Sequence, residues 1–156
     1  MKAQPNPFKL GKPVMANPPE RYLIDTNIWS ALIRRSSPTL VERFNSLEFS
    51  QVFLSPIVLG ELQVGYHKGD QTPKRRQVIE HITTNSQLLT LDGGVSIAYG
   101  QLRARLEQAR TPIGPNDTWI AAEALHHKLV LVTDNTREFA RVPKLKIENW
   151  ISHHAD

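Results

Sequence analysis

The chain has no cysteine, which excludes disulfides, thiolate zinc sites and cysteine nucleophiles and fits a reducing compartment such as the cytoplasm. No apolar run approaches the length of a membrane span. Residues 1–20 carry charges and prolines but no apolar core segment, so they do not read as a secretory signal. Gly93-Gly94 and Gly100 make neither a P-loop nor a dinucleotide fingerprint. No Ser/His/Asp order stands out. His126 and His127 are adjacent on one predicted helix and face different directions, which speaks against a metal pair there. His153 and His154 sit in the tail. An aspartyl phosphatase would prefer a second acid where Asn27 stands.

What remains is a chain of 156 residues with a formal charge of +4, enough for one domain with a sizeable core. The basic excess is mild and permits a polyanionic partner. Its distribution says more. Arg34-Arg35, Lys74-Arg75-Arg76 and the trio Arg103, Arg105 and Arg110 are basic, while several acids stand where strands end. A cluster of this kind is equally a solvated surface when taken alone.

Along the chain, residues 1–20 hold five of the eleven prolines and read as an extended arm, with Met15 as an alternative start. Residues 21–150 read as the folded domain and 151–156 as a tail. Tyr22-Leu23-Ile24 is a predicted buried strand ending on Asp25, and helix follows at once over 27–35. Ser37 and Pro38 read as the cap and first residue of a second helix. Val52 to Ser55 is a second strand, and Pro56 opens a helix that carries Glu61. Pro73 opens another, Leu88 to Leu91 is a third strand, and a long amphipathic helix runs over 94–110. The loop 111–115 delivers Asn116 and Asp117 to the next helix. Strand 129–132 then ends at Thr133-Asp134, a short helical turn surrounds 137–139, and Leu145 to Ile147 is a last edge strand covered by Trp150. Strands alternating with helices predict an α/β fold, a mostly parallel central sheet with helices on both faces.

Each acid alone has a bland reading: Asp117 as a favourable charge at a helix start, Asp25 and Asp134 as turn residues, Glu61 as a paired or solvated helical side chain. Together they mean more. In a parallel sheet Asp25 and Asp134 fall at carboxyl ends of strands, and Glu61 and Asp117 on helices leaving that same edge. Carboxylates crowded there repel one another unless a cation neutralises them. Oxygen-only ligands select Mg²⁺ or Mn²⁺ over zinc, and Mg²⁺ needs only one or two carboxylates plus substrate phosphate. The chemistry this suits is phosphodiester hydrolysis by metal-activated water.

Four blocks also resemble a family: Ile24-Asp25-Thr26-Asn27-Ile28, Ser55 to Leu62, Pro112 to Asp117, and Val132 to Phe139. In this order they resemble the PIN-domain ribonucleases, and most closely the VapC-like toxins of type II toxin–antitoxin modules. The resemblance covers residue 22 to Trp150. It implies a three-layer α/β/α sandwich, dependence on Mg²⁺ or Mn²⁺, RNA cleavage, neutralisation by a cognate antitoxin that is a small DNA-binding protein, and a homodimer. Carried over by motif, Asp25, Glu61 and Asp117 are the core acids of the metal site. Asp134, which ends the strand, ranks first for the fourth place although many close relatives have Asn there. Glu138, an acid those relatives often retain, competes for it. Thr26, Asn27, Asn116 and Thr133 are supporting residues. An apolar groove for the antitoxin is expected along helices 27–47, extending to 57–67. The alternative is a non-catalytic PIN-fold module that binds RNA or protein.

Overall fold

The computed structural model describes residues 17–151. Most of the predicted arm, the Met15 start and residues 152–156 of the tail, with His153 and His154, lie outside the described residues.

Strand β1 (Tyr22–Ile24) lies at the centre of a five-stranded sheet. Its neighbours are β2 (Val52–Leu54) and β4 (Val130–Val132), with β3 (Gln87–Leu88) and β5 (Ile147–Glu148) at the two edges. Every pairing is parallel, so the sheet exceeds the expectation of a mostly parallel one. All residues of β1 and β4 are buried, as strands covered on both faces should be. Leu23, Ile24, Leu54, Leu131 and Val132 are wholly inaccessible and form the floor of the core.

Helices α1 (Thr26–Arg34) and α2 (Pro38–Asn45) follow β1, and α3 (Pro56–Lys68) and α4 (Pro73–Thr84) follow β2. Helices α5 (Gly93–Gln108) and α6 (Pro115–His127) pack extensively on each other before β4, and α7 (Thr136–Phe139) leads to β5. The result is the expected α/β/α arrangement around a parallel sheet.

The helix starts were written locally. Ser37, Ser55, Thr72 and Asp92 each accept a backbone N–H of the first turn they precede. Such a cap is worth about 1 kcal/mol, and Pro38, Pro56 and Pro73 fill the first helical positions where no N–H is needed.

Ser55, read as the end of the second strand, instead caps α3, and β4 starts one residue later than expected; the two edge strands differ more. The third strand is Gln87–Leu88, earlier than the expected 88–91 and shorter. Beyond it Leu89 keeps one bond to the sheet, its N–H reaching the Leu54 carbonyl at 2.9 Å, and then turns inward. The last strand is Ile147–Glu148, later than the expected 145–147, because the register set by Leu131 and Val132 pairs with these two residues. Trp150 covers the sheet as expected, its ring edge-on to Tyr22 at 5.0 Å. Arg43 stacks over the same ring at 4.5 Å and donates to Glu148, which also accepts from Trp150 Nε1 at 2.6 Å. β5 and Trp150 are thereby fastened to α2.

Candidate active site

Because every strand runs the same way, the carboxyl ends of β1 and β4 lie side by side. Asp25 leaves β1 there, its own N–H held by the Val132 carbonyl at 2.9 Å. It serves two purposes at once. Oδ1 accepts from Thr26 N at 2.8 Å and so caps α1, while Oδ2 accepts from Thr133 Oγ1, also at 2.8 Å. Both bonds favour the ionised acid. Burial works harder in the other direction and raises its pKa, with the charges of Glu61 and Asp134 adding to the push.

Glu61 reaches the same place from α3. Its Oε2 accepts from the Thr26 hydroxyl and its Oε1 from Asn116 Nδ2 at 3.2 Å. A residue of α1 and a residue of α6 therefore meet on one carboxylate. Asp117 stands in the first turn of α6, where the helix dipole favours negative charge. Even so, its carboxyl is pushed up to about 6, by burial first and then by Asp25, Glu138 and Glu61. Helix α6 opens on Gly114, which has no side chain to cap it; Thr118 Oγ1 instead donates back to the Gly114 carbonyl at 2.8 Å.

The two contenders for the fourth place are held differently. Asp134 is exposed, accepts from Asn27 Nδ2 at 3.1 Å and acts on Asp25. Glu138 accepts from Gly114 N at 3.1 Å and from Asn135 Nδ2 at 2.9 Å, and its pKa is lowered, Asn135 contributing most. It acts on Asp117 rather than on Asp25. Asn135 is the residue that sequence reasoning missed: its backbone N–H also bonds Thr133 Oγ1 at 3.0 Å, so it ties two site residues together. The Asp-Asn-Thr turn signal pointed to local bonding there but not to its partners.

All the predicted residues are thus at one edge of the sheet. Among the described residues no three of the acids are gathered closely enough to cage an ion unaided. Their mutual electrostatic influence reaches further than ligation does, so the two findings agree. Neutral donors (Thr26, Asn116, Asn27, Asn135) occupy the carboxylates and hold them as an open ring. Among the described residues the ion pairs, such as Arg75–Asp70 and Arg103–Glu107, lie outside this ring. The donor set is all oxygen and its negative charge is poorly compensated, which fits a hard divalent cation that keeps part of its water.

Beside Glu61 a cleft of about 320 Å³ runs between α1, α3 and α4, lined by Ser30, Arg34, Tyr66 and Arg75. A second groove of about 520 Å³ has α1 and α2 on one side, with Trp29, Leu32, Val41 and Phe44, and α4 on the other, with Val78 and Ile82. The sequence reading extended this groove to α3; α4 forms the far wall instead, and α3 lines only the neighbouring cleft. Ile33 lines both.

The PIN domain family model matches residues 22–145. The tRNA(fMet)-specific endonuclease VapC of Salmonella typhimurium is 37% identical over 130 residues, which is 83% of this chain and 98% of that protein. Ribonuclease VapC2 of Rickettsia felis is 33% identical over 133 residues, 83% of this chain and 97% of that one. Among solved structures, DNA-bound VapBC from Salmonella typhimurium superposes with a TM-score of 0.78 at 37% identity, over 84% of this chain and 98% of that one. VapBC-1 from nontypeable Haemophilus influenzae superposes with a TM-score of 0.76 at 30% identity, over 84% and 98% of the two chains. With the family model spanning four of the five strands and all the candidate acids, the chain belongs to the PIN-domain family, among the VapC ribonucleases.

Proposed function

We propose that this protein is a divalent-metal-dependent endoribonuclease and the toxin of a type II toxin–antitoxin module. The single observation that carries the reading is the convergence of Asp25, Glu61 and Asp117 at one sheet edge, with Asp25 and Asp117 both raised in pKa by burial and by neighbouring acids. Nucleases of this family depend on a divalent metal, and for this chain we name Mg²⁺ or Mn²⁺, held by Asp25, Asp117 and Glu61 with Asp134 as the fourth acid. When bound, the ion supplies Lewis acidity toward water and the scissile phosphate.

The chain's own residues do the rest. The bonds from Thr133 and Thr26 N favour the ionised form of Asp25 against its burial and aim it out of β1. Thr26 and Asn116 orient Glu61 from two helices. Arg34 and Arg75, in the cleft beside Glu61, offer guanidinium groups to the RNA backbone, which positions the strand without reading its bases.

The related structures hold VapB with VapC, two of them with DNA. By that likeness the antitoxin of this chain would be a small DNA-binding protein, its apolar segment lying in the groove between α1, α2 and α4. We further assign the protein to the cytoplasm and to a homodimer, the latter tested by its mass in solution. Among the described residues no helix is long and apolar enough to cross a membrane.

The test is cleavage of cellular RNA by wild type against Asp25→Asn, with RNA ends mapped after induction. Wild type should generate new ends and Asp25→Asn none; equal cutting by both would sink the assignment. Calorimetry with Mn²⁺ separates this reading from a non-catalytic binding module, which has no use for an ion at a carboxylate cluster.

A further inference from the structure

The basic pairs of the sequence take places in the fold that the acid ring does not explain. Arg34 and Arg35 follow one another at the end of α1, and Lys74 and Arg75 stand in the first turn of α4. Each pair is divided between two cavities. Arg34 and Arg75 line the cleft beside Glu61, whereas Arg35 and Lys74 line the groove between α1, α2 and α4. The cavities share a wall, since Ile33 and Val78 line both. A peptide lying in the groove can therefore continue over these two side chains into the cleft and meet cations all the way.

The charges are one-sided. His81 joins Arg35 and Lys74 along the groove, and no Asp or Glu lines it; Glu61 is the one acid that lines the cleft. Among the described residues Arg34, Arg35 and Lys74 form no ion pair, while Arg75 has Asp70 at 3.1 Å, both of them exposed. The groove walls differ in kind. Trp29, Leu32, Phe44 and Ile82 are apolar and favour apolar side chains over phosphates. An apolar trough with a cationic rim selects a peptide that is apolar on one face and acidic at its edge. Residues 1–16 of this chain do not match, for they hold Lys2, Lys9 and Lys12 and no acid. A second copy would bring a formal charge of +4 of its own.

We propose that the antitoxin segment in this groove carries acidic residues that pair with Arg35 and Lys74 and reach across Ile33 and Val78 to Arg34 and Arg75. There its carboxylates take the guanidinium groups that would hold RNA phosphates. Neutralisation is then competition for the same cations as well as cover for the groove. The apolar walls supply affinity, and the rim charges supply association rate and choice of partner. This inference rests on the toxin–antitoxin reading above and names the chemistry of its partner.

Charge reversal at the two groove cations tests the proposal, because neither lines the cleft. Arg35→Asp suits the left-handed backbone at that position, where φ is 50°. Lys74→Glu places an acid in the first turn of α4, where the helix dipole favours it. The double variant should keep its melting midpoint and its Mn²⁺ affinity. Calorimetry against the purified antitoxin from the same operon should show about tenfold weaker binding and a shallower dependence on salt. Replacing the antitoxin's acids by lysine, one at a time, should restore affinity where the new lysine meets a reversed charge. Arg34→Gln and Arg75→Gln should each weaken the antitoxin severalfold as well. Equal affinity of wild type and double variant at every salt concentration overturns the acidic segment. Unchanged affinity in the two glutamine variants confines the segment to the groove and overturns the competition. A double variant that changes the mass of the protein alone, and not antitoxin affinity, makes the groove a contact between copies and overturns the proposal. A wild type that binds no such antitoxin overturns the toxin–antitoxin reading itself.

Discussion

Thr133 donates its hydroxyl to Asp25 Oδ2 at 2.8 Å, joining the end of β4 to the end of β1. The bond stabilises the ionised acid against a burial that would neutralise it. A hydrogen bond to a charged group is worth about 1.5 kcal/mol or more, and about 1.4 kcal/mol corresponds to one pKa unit. Thr133→Val should raise the pKa of Asp25. If cleavage needs the ionised acid, the acidic limb of the pH–rate profile should move up by about one unit. An unmoved limb would mean that Asp25 does not govern it.

Asp117 carries a stability signature. Its folded pKa is about 6, above the ordinary aspartate value of 3.8. The metal-free protein is therefore penalised as pH rises, progressively between those two values, and fully so above the higher. Melting curves without metal should show falling stability across that window, and Asp117→Asn should remove part of the fall. Mn²⁺ should raise the midpoint more at neutral pH than at acidic pH, because it binds the ionised acid.

Asp134 and Glu138 should separate by their side effects. Asp134 is exposed and bonds one side chain, so Asp134→Asn should weaken Mn²⁺ binding with little change in melting. Glu138 also pins Gly114, where α6 begins, so Glu138→Gln should lower stability by about 1 kcal/mol along with activity. Chemical denaturation and calorimetry on the same two variants decide the matter.

Ile33 is 40% exposed and lines both the groove proposed for the antitoxin and the cleft beside Glu61. A charge there should damage apolar docking while leaving the acids untouched. Ile33→Asp is expected to bind the cognate antitoxin about tenfold or more weakly and to retain Mn²⁺ affinity. Calorimetry against purified antitoxin would refute the groove assignment if affinity were unchanged.

The parts of this molecule that sequence patterns reveal are those with two partners. β1 and β4 are apolar throughout because the sheet and helices enclose them, and their ends mark Asp25 and Asp134 without ambiguity. The helix starts were legible from Ser37-Pro38, Pro56 and Pro73, since those signals act within one turn. The edge strands were misplaced because each answers to one neighbour: the third strand takes the polar Gln87 and leaves out the apolar Leu89 and Leu91. Bonds between distant elements leave no local trace. Gly114 to Glu138 and Asn116 to Glu61 are products of the packed fold.

The central strand of the sheet is the first to be made and the last to be completed. β1 pairs with β2 on one side and β4 on the other, and β4 lies near the opposite end of the chain. A nascent polypeptide that has emerged only through α5 carries Asp25 and Glu61 but lacks Asp117, Asn116 and Thr133. It has neither the third acid nor two of the donors that aim the first two, Thr133 on Asp25 and Asn116 on Glu61; Thr26 alone is already in place. The acid cluster of a ribonuclease assembled this way is incomplete until α6 and the end of β4 have been made.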